Sequence, residues 1–162
     1  MNILCATDGS DDACEALAAF AQMIDARRVN EIRVILVAWP ERDNALWDKA
    51  YQRWVKDDDL HEAMEATVNR ELEKLRGVFS EHASTVETTR GEGDPGPAIV
   101  QSAQSISADL IVLAVTGNNT PEPVRNAVIA VVEKSPSPVA IVHGPKSSAK
   151  SITNIGAEGT AP

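Results

Sequence analysis

The chain has 162 residues, 43% of them hydrophobic and 24% charged, which is the length of one domain with enough apolar material for a core. A formal charge of -9 excludes a surface built to hold nucleic acid or an anionic membrane, since either partner needs a basic face. No apolar run approaches the roughly 18 residues of a membrane span, and Asp8 interrupts the N-terminal apolar stretch, so a soluble, cytoplasmic protein without a leader is expected.

Ile3 to Ala6 is a short continuous apolar run, as expected of a strand covered on both faces, and it stops at Thr7, Asp8, Gly9 and Ser10, all turn or cap formers. Ala13, Leu17, Phe20, Ala21 and Ile24 then recur at helical spacing, which makes the opening a βα unit. Ligands of open α/β sheets sit beyond the carboxyl ends of the strands, so Thr7 and Asp8 are the first candidate contacts. Cys5 and Cys14 show neither a C-x-x-C spacing nor a His/Cys cluster and are read as small core residues.

Ile32 to Ala38 is a second β-branched apolar run, closed by Trp39-Pro40. Residues 41–59 are long for a βα connection and carry Trp47, Tyr51 and Trp54 at helical spacing, which predicts an extra amphipathic segment packed on the domain. Asp57, Asp58 and Asp59 are read as cap and first-turn charge for the next helix, not as a metal site. That helix is marked by the stripe Leu60, Met64, Val68, Leu72, Leu75 and Phe79, and Glu62, Glu65, Glu71 and Glu73 are assigned to its solvated face. His61 and His82 at its ends lack clustered partners, so no metal is expected.

Thr85 to Thr89 alternates and is polar, which predicts a strand at or near the sheet edge, and residues 91–96 read as a turn. Pro97 is expected to open the third helix, with Ile99, Ala103 and Ile106 on its buried face. Asp109 to Val115 is the most apolar strand and runs into Thr116, Gly117, Asn118, Asn119 and Thr120, a second polar loop that would share a crevice with Thr7 and Asp8. A helix over Val124 to Lys134, ended by Pro136 and Pro138, precedes a fifth strand, Val139 to His143. The remainder lacks apolar periodicity, so the domain is placed at 1–144 and a mobile tail at 145–162.

The alternation predicts an α/β three-layer sandwich: a five-stranded parallel sheet with helices on both faces and right-handed crossovers. The continuously apolar first and fourth strands belong at its centre, giving the order 3-2-1-4-5. I-L-C-A-T-D-G-S at 3–10, G-D-P-G-P-A-I-V-Q-S-A-Q-S-I-S-A-D-L-I-V-L at 93–113 and S-P-S-P-V-A-I-V at 135–142 resemble, in matching order, three segments of the universal stress proteins. The resemblance covers residues 1–143 and implies an adenine nucleotide α-hydrolase-like fold, a role in stress response, and a homodimer formed through the last strand. An apolar edge with unpaired backbone groups points to the same interface, Val139, Ala140, Ile141 and Val142.

In nucleotide-binding members the resemblance implies a loop after strand four of the form G-x-x-G, about nine residues, then Gly with Ser or Thr, whose amides and hydroxyl hold phosphates. Here Gly117 is followed by Thr120 at the second glycine position, and the Gly-Ser pair falls on Arg125 and Asn126. Ala114 stands where the family has a small residue, usually glycine, before the loop. Asp8 matches the nucleoside-side aspartate, and Ala38 lies where the adenine packs. ATP contacts would therefore come from Thr7, Asp8, Ala38, Thr116, Gly117, Thr120, Arg125 and Asn126. The expectation is a binding or regulatory module, not an enzyme, with ATP binding weakened or absent. One alternative keeps ATP through side-chain donors from Asn118, Asn119, Thr120 and Arg125. Another is a nucleotide α-hydrolase, disfavoured because T-D-G-S-D-D lacks paired glycines for a pyrophosphate.

Overall fold

Strand β1 (Asn2–Thr7) runs through the middle of the molecule, and its alternation decides how the two faces are filled. The computed structural model describes residues 1–37, 49, 60–115 and 122–144, with the backbone alone at 60 and 61. The predicted amphipathic segment (Lys49 apart), the Asp57–Asp59 cap, Ala38, the loop at 116–120 and the tail at 145–162 lie outside these residues. β1 feeds α1 (Asp11–Ala21); β2 (Glu31–Val37) leads by way of the 38–59 connection to α2 (Leu60–Phe79). β3 (Thr85–Gly91), α3 (Pro95–Ser105), β4 (Leu110–Val115), α4 (Glu122–Lys134) and β5 (Val139–His143) follow, and a short 3-10 turn (Ala26–Arg28) precedes β2.

The five strands form one parallel sheet in the order β3-β2-β1-β4-β5, as the sequence predicts. β1 and β4 are neighbours, with Ile3 opposite Leu110 and Ala6 opposite Leu113. Successive strand side chains point to opposite faces, so Ile3 and Cys5 join Ile32, Val34, Val112, Leu17 and Phe79 in the core under α1 and α2. Leu4 and Ala6 join Ile35, Leu113, Ile99, Ala103 and Val131 under α3 and α4. Polar β3 and half-buried β5 are left as the two edges. Among the described residues no helix is long and apolar enough to cross a membrane.

Two local expectations change. The third helix starts at Pro95, not Pro97, with Asp94 at its N-cap. The first N–H groups of a helix have no intrahelical acceptor, so prolines at 95 and 97 cost it no internal hydrogen bond. The second correction is Glu71, which is not on the solvated face but only 6% exposed. Its spacing explains the burial: it lies three residues after Val68 and four before Leu75, on the apolar stripe itself. Glu62 and Glu73 are exposed, as expected.

Candidate functional site

The β1–α1 turn is built from side chains that satisfy its own backbone. Thr7, 1% exposed, accepts the Gly9 N–H on Oγ1 at 3.1 Å. Asp8 accepts the Ser10 N–H on Oδ1 at 2.9 Å. Ser10 caps α1 by accepting the Ala13 N–H at 3.3 Å, and Asp11 and Asp12 place negative charge where the helix dipole favours it. Gly9 sits at φ 78°, in the left-handed region that a side chain would strain. Thr7 and Asp8 thus hold the turn in shape as well as facing the crevice beside it.

That crevice opens where β1 and β4 end side by side. Its floor is Ala6 and Thr7 from β1, Asp8 from the turn that follows, Val37 from β2, and Leu113, Ala114 and Val115 from β4; its walls are Ile99 of α3 and Val124, Ala127 and Val128 of α4. Thr7 and Asp8 are its polar members among the described residues, and the crevice is partly open, with a cavity volume of about 30 Å³. Arg125 and Asn126 do not line it: both are exposed on α4, one and two positions past the inward Val124. Sequence reasoning singled out Ala114 but missed Val37, Val115, Val124 and Val128. The signal was available in Val124, Val128 and Val131, which recur at helical spacing beside the most apolar strand.

α4 offers a poor phosphate site at its start. Anions bind helix N-termini through free N–H groups and the dipole. Here Glu122 already places a carboxylate in the first turn, and Pro123 has no N–H to give.

A second cluster lies on the α1–α2 side of the same turn. Lys49 donates to the Gly9 carbonyl at 3.0 Å and lies 3.1 Å from both Asp11 Oδ1 and Glu71 Oε1. Burial by itself would lower the Lys49 pKa, but the hydrogen bonds with Asp11 and Glu71 outweigh it, and the net shift is upward. The same bond, followed by the ammonium charge, holds the Asp11 carboxyl below its usual range. Nearby, desolvation and then the Glu71 charge push the Cys14 thiol up to about 11, and burial raises Cys5 further. Among the described residues no group of three or more His, Cys, Asp or Glu side chains could hold a metal ion.

Comparison with known proteins agrees with this architecture. The family model described as "Universal stress protein family" matches residues 1–143. No curated protein sequence matches the chain. Among solved structures, universal stress protein UspA from Lactobacillus plantarum is 26% identical with a TM-score of 0.59, the match covering 88% of this chain and 97% of that one. The universal stress protein from Archaeoglobus fulgidus, solved in complex with dAMP, is 24% identical with a TM-score of 0.51, over 88% of this chain and 97% of the other. A universal stress protein family protein from Arabidopsis thaliana, solved with AMP bound, is 14% identical with a TM-score of 0.62, over 91% and 94%.

Proposed function

Because the chain belongs to the universal stress protein family, we propose that it is a non-enzymatic binding or regulatory module of stress response in which ATP binding is weak or absent. The observation that carries this reading is the crevice. Among the described residues its lining is apolar apart from Thr7 and Asp8, so it offers few polar partners to a nucleotide. A triphosphate needs converging donors; the α4 side chains turned toward the crevice are Val124, Ala127 and Val128, and the helix opens with Glu122 and Pro123. The other candidate contacts, Ala38, Thr116, Gly117 and Thr120, supply one glycine where the family's pattern has several.

The relatives solved with dAMP and AMP favour a second reading, in which an adenine nucleotide still binds through Asp8 and the 116–126 loop. Isothermal titration separates the two. With ATP and Mg²⁺, the first reading expects a dissociation constant weaker than about 1 mM, corresponding to under about 4 kcal/mol of binding free energy. Micromolar binding that is lost in Asp8→Ala would replace it with the second.

Assembly belongs to the same proposal. Ile141 is 45% exposed on the edge strand β5, and Ile129 and Val132 of α4 are 54% and 53% exposed. Such apolar exposure at a strand edge supports a homodimer centred on Val139, Ala140, Ile141 and Val142, with the free backbone groups paired across a two-fold axis.

A further inference from the structure

Glu71 is the anomaly of the α1–α2 face. A carboxylate in the apolar stripe of a helix loses most of its hydration, and that loss is offset only by a well-placed counter-charge. Glu71 is 6% exposed, its Oε1 meets Lys49 at 3.1 Å, and its Oε2 has no hydrogen-bond partner among the described residues. A leucine there would extend the stripe of Val68, Leu72 and Leu75 at no electrostatic cost.

The other contacts of Lys49 explain what the carboxylate holds in place. Gly9 is held on both sides: its N–H, in the peptide shared with Asp8, by Thr7 Oγ1 at 3.1 Å, and its carbonyl, in the peptide shared with Ser10, by the Lys49 ammonium at 3.0 Å. One residue before it, Asp8 faces the crevice; one residue after it, the Ser10 N–H binds Asp8 Oδ1 at 2.9 Å. Gly9, at φ 78°, gains nothing from a side chain of its own, so its orientation depends on these contacts. We infer that Lys49 is a positioning residue for Asp8: anchored by Glu71 and Asp11, its ammonium fixes the Gly9 carbonyl and thereby the turn that presents Asp8 to the crevice. The connection between β2 and α2 is thus linked through one side chain to the ligand-facing turn. The bearing on ligand binding rests on the reading given under Proposed function; the order of the turn does not.

Two variants of the full chain test this without added nucleotide. Lys49→Met leaves Glu71 as a buried carboxylate without its counter-charge and is expected to lower the melting temperature. Lys49→Met combined with Glu71→Leu removes that charge as well, so its melting temperature should return toward wild type. The discriminating readout is amide hydrogen exchange at Gly9 and Ser10. Loss of one charge-assisted hydrogen bond should speed exchange there by about tenfold in both variants, the refolded double variant included. Lys49→Arg, which keeps a donor, should restore most of the protection. Wild-type exchange at Gly9 and Ser10 in the double variant would overturn the inference and leave Lys49 as a counter-ion for Glu71 alone. Failure of the wild-type protein to bind ATP, which the ATP reading above concerns, would leave this exchange result equally decisive.

Discussion

Ile141→Pro tests the assembly at one atom. Ile111 donates its N–H to the Pro138 carbonyl at 2.9 Å, and Ile111 and Leu113 are in register with Val139 and Ile141. In a parallel ladder the backbone groups of one strand turn alternately toward and away from its neighbour. Ala140 and Val142 therefore bond to β4, while Val139 and Ile141 turn their N–H and C=O toward the side of β5 that has no partner strand among the described residues. Proline at 141 deletes an outward donor and leaves the β4–β5 ladder intact. Each protomer would lose about 1 kcal/mol of hydrogen bonding. It would also lose about 1 kcal/mol from burial of a side chain that is 45% exposed in the single chain. Two-fold symmetry doubles both, so dimer stability should fall by about 4 kcal/mol, close to a thousandfold in dissociation constant. Sedimentation equilibrium across the micromolar range should show the variant as a monomer that melts close to the wild-type monomer. Ala140→Pro is the control: it removes a donor that bonds to β4 and should destabilise the fold itself. A wild-type monomer at micromolar concentration, or an Ile141→Pro dimer of unchanged affinity, would refute the reasoning.

The Lys49 cluster predicts a pH window. Asp11 has its carboxyl held below the ordinary 3.8, so its contribution is present above that value and lost as pH falls through the folded one; Lys49 is raised above 10.5, so its contribution is present below that value and lost as pH climbs through the folded one. Thermal unfolding of wild type against Lys49→Met should therefore differ most near neutrality and converge at both extremes. Because the Asp11 side chain is 76% exposed, its share of the acid limb should stay under about 1 kcal/mol. A difference that stays constant from acid to alkaline pH would defeat the assignment. The thiols give a third check: Cys5 and Cys14 are 0% and 6% exposed and both titrate upward, so an aromatic disulfide reagent at mildly alkaline pH should react only at the rate of unfolding. Rapid modification of either cysteine in the native protein would contradict their burial.

Strand order was legible because burial on both faces leaves a direct mark on composition. Ile3 to Ala6 and Leu110 to Val115 are unbroken apolar runs, and only the centre of a covered parallel sheet asks for that in both; Thr85 to Gly91, half-exposed, alternates as an edge strand should. Helix boundaries were less legible for a local reason. Pro95 and Pro97 are each permitted in a first turn, so composition could not choose between them, and the Asp94 cap makes no side-chain bond that would single it out.

The candidate site was readable on its β1 side and not on its α4 side, and the difference is physical. Thr7, Asp8, Gly9 and Ser10 are residue types that turns require, so their chemistry shows in sequence whether or not a ligand is present. Arg125 and Asn126 were selected by counting along a pattern of glycines, whereas the face a helical residue presents is set by the neighbouring stripe. Val124, Val128 and Val131 claim the inward face, which turns residues 125 and 126 outward. Glu71 followed the opposite course: its charge argued for solvent, its spacing for the core, and spacing prevailed because Lys49 supplied a counter-charge from the β2–α2 connection. A period of 3.6 fixes direction before side-chain chemistry is consulted, so a charged residue on an apolar stripe marks a partner to be sought elsewhere in the chain. In this chain the partner also holds the Gly9 carbonyl, and the two halves of the turn around Asp8 are thereby controlled from opposite sides: from the crevice by whatever Asp8 meets, and from α2 by the carboxylate that anchors Lys49.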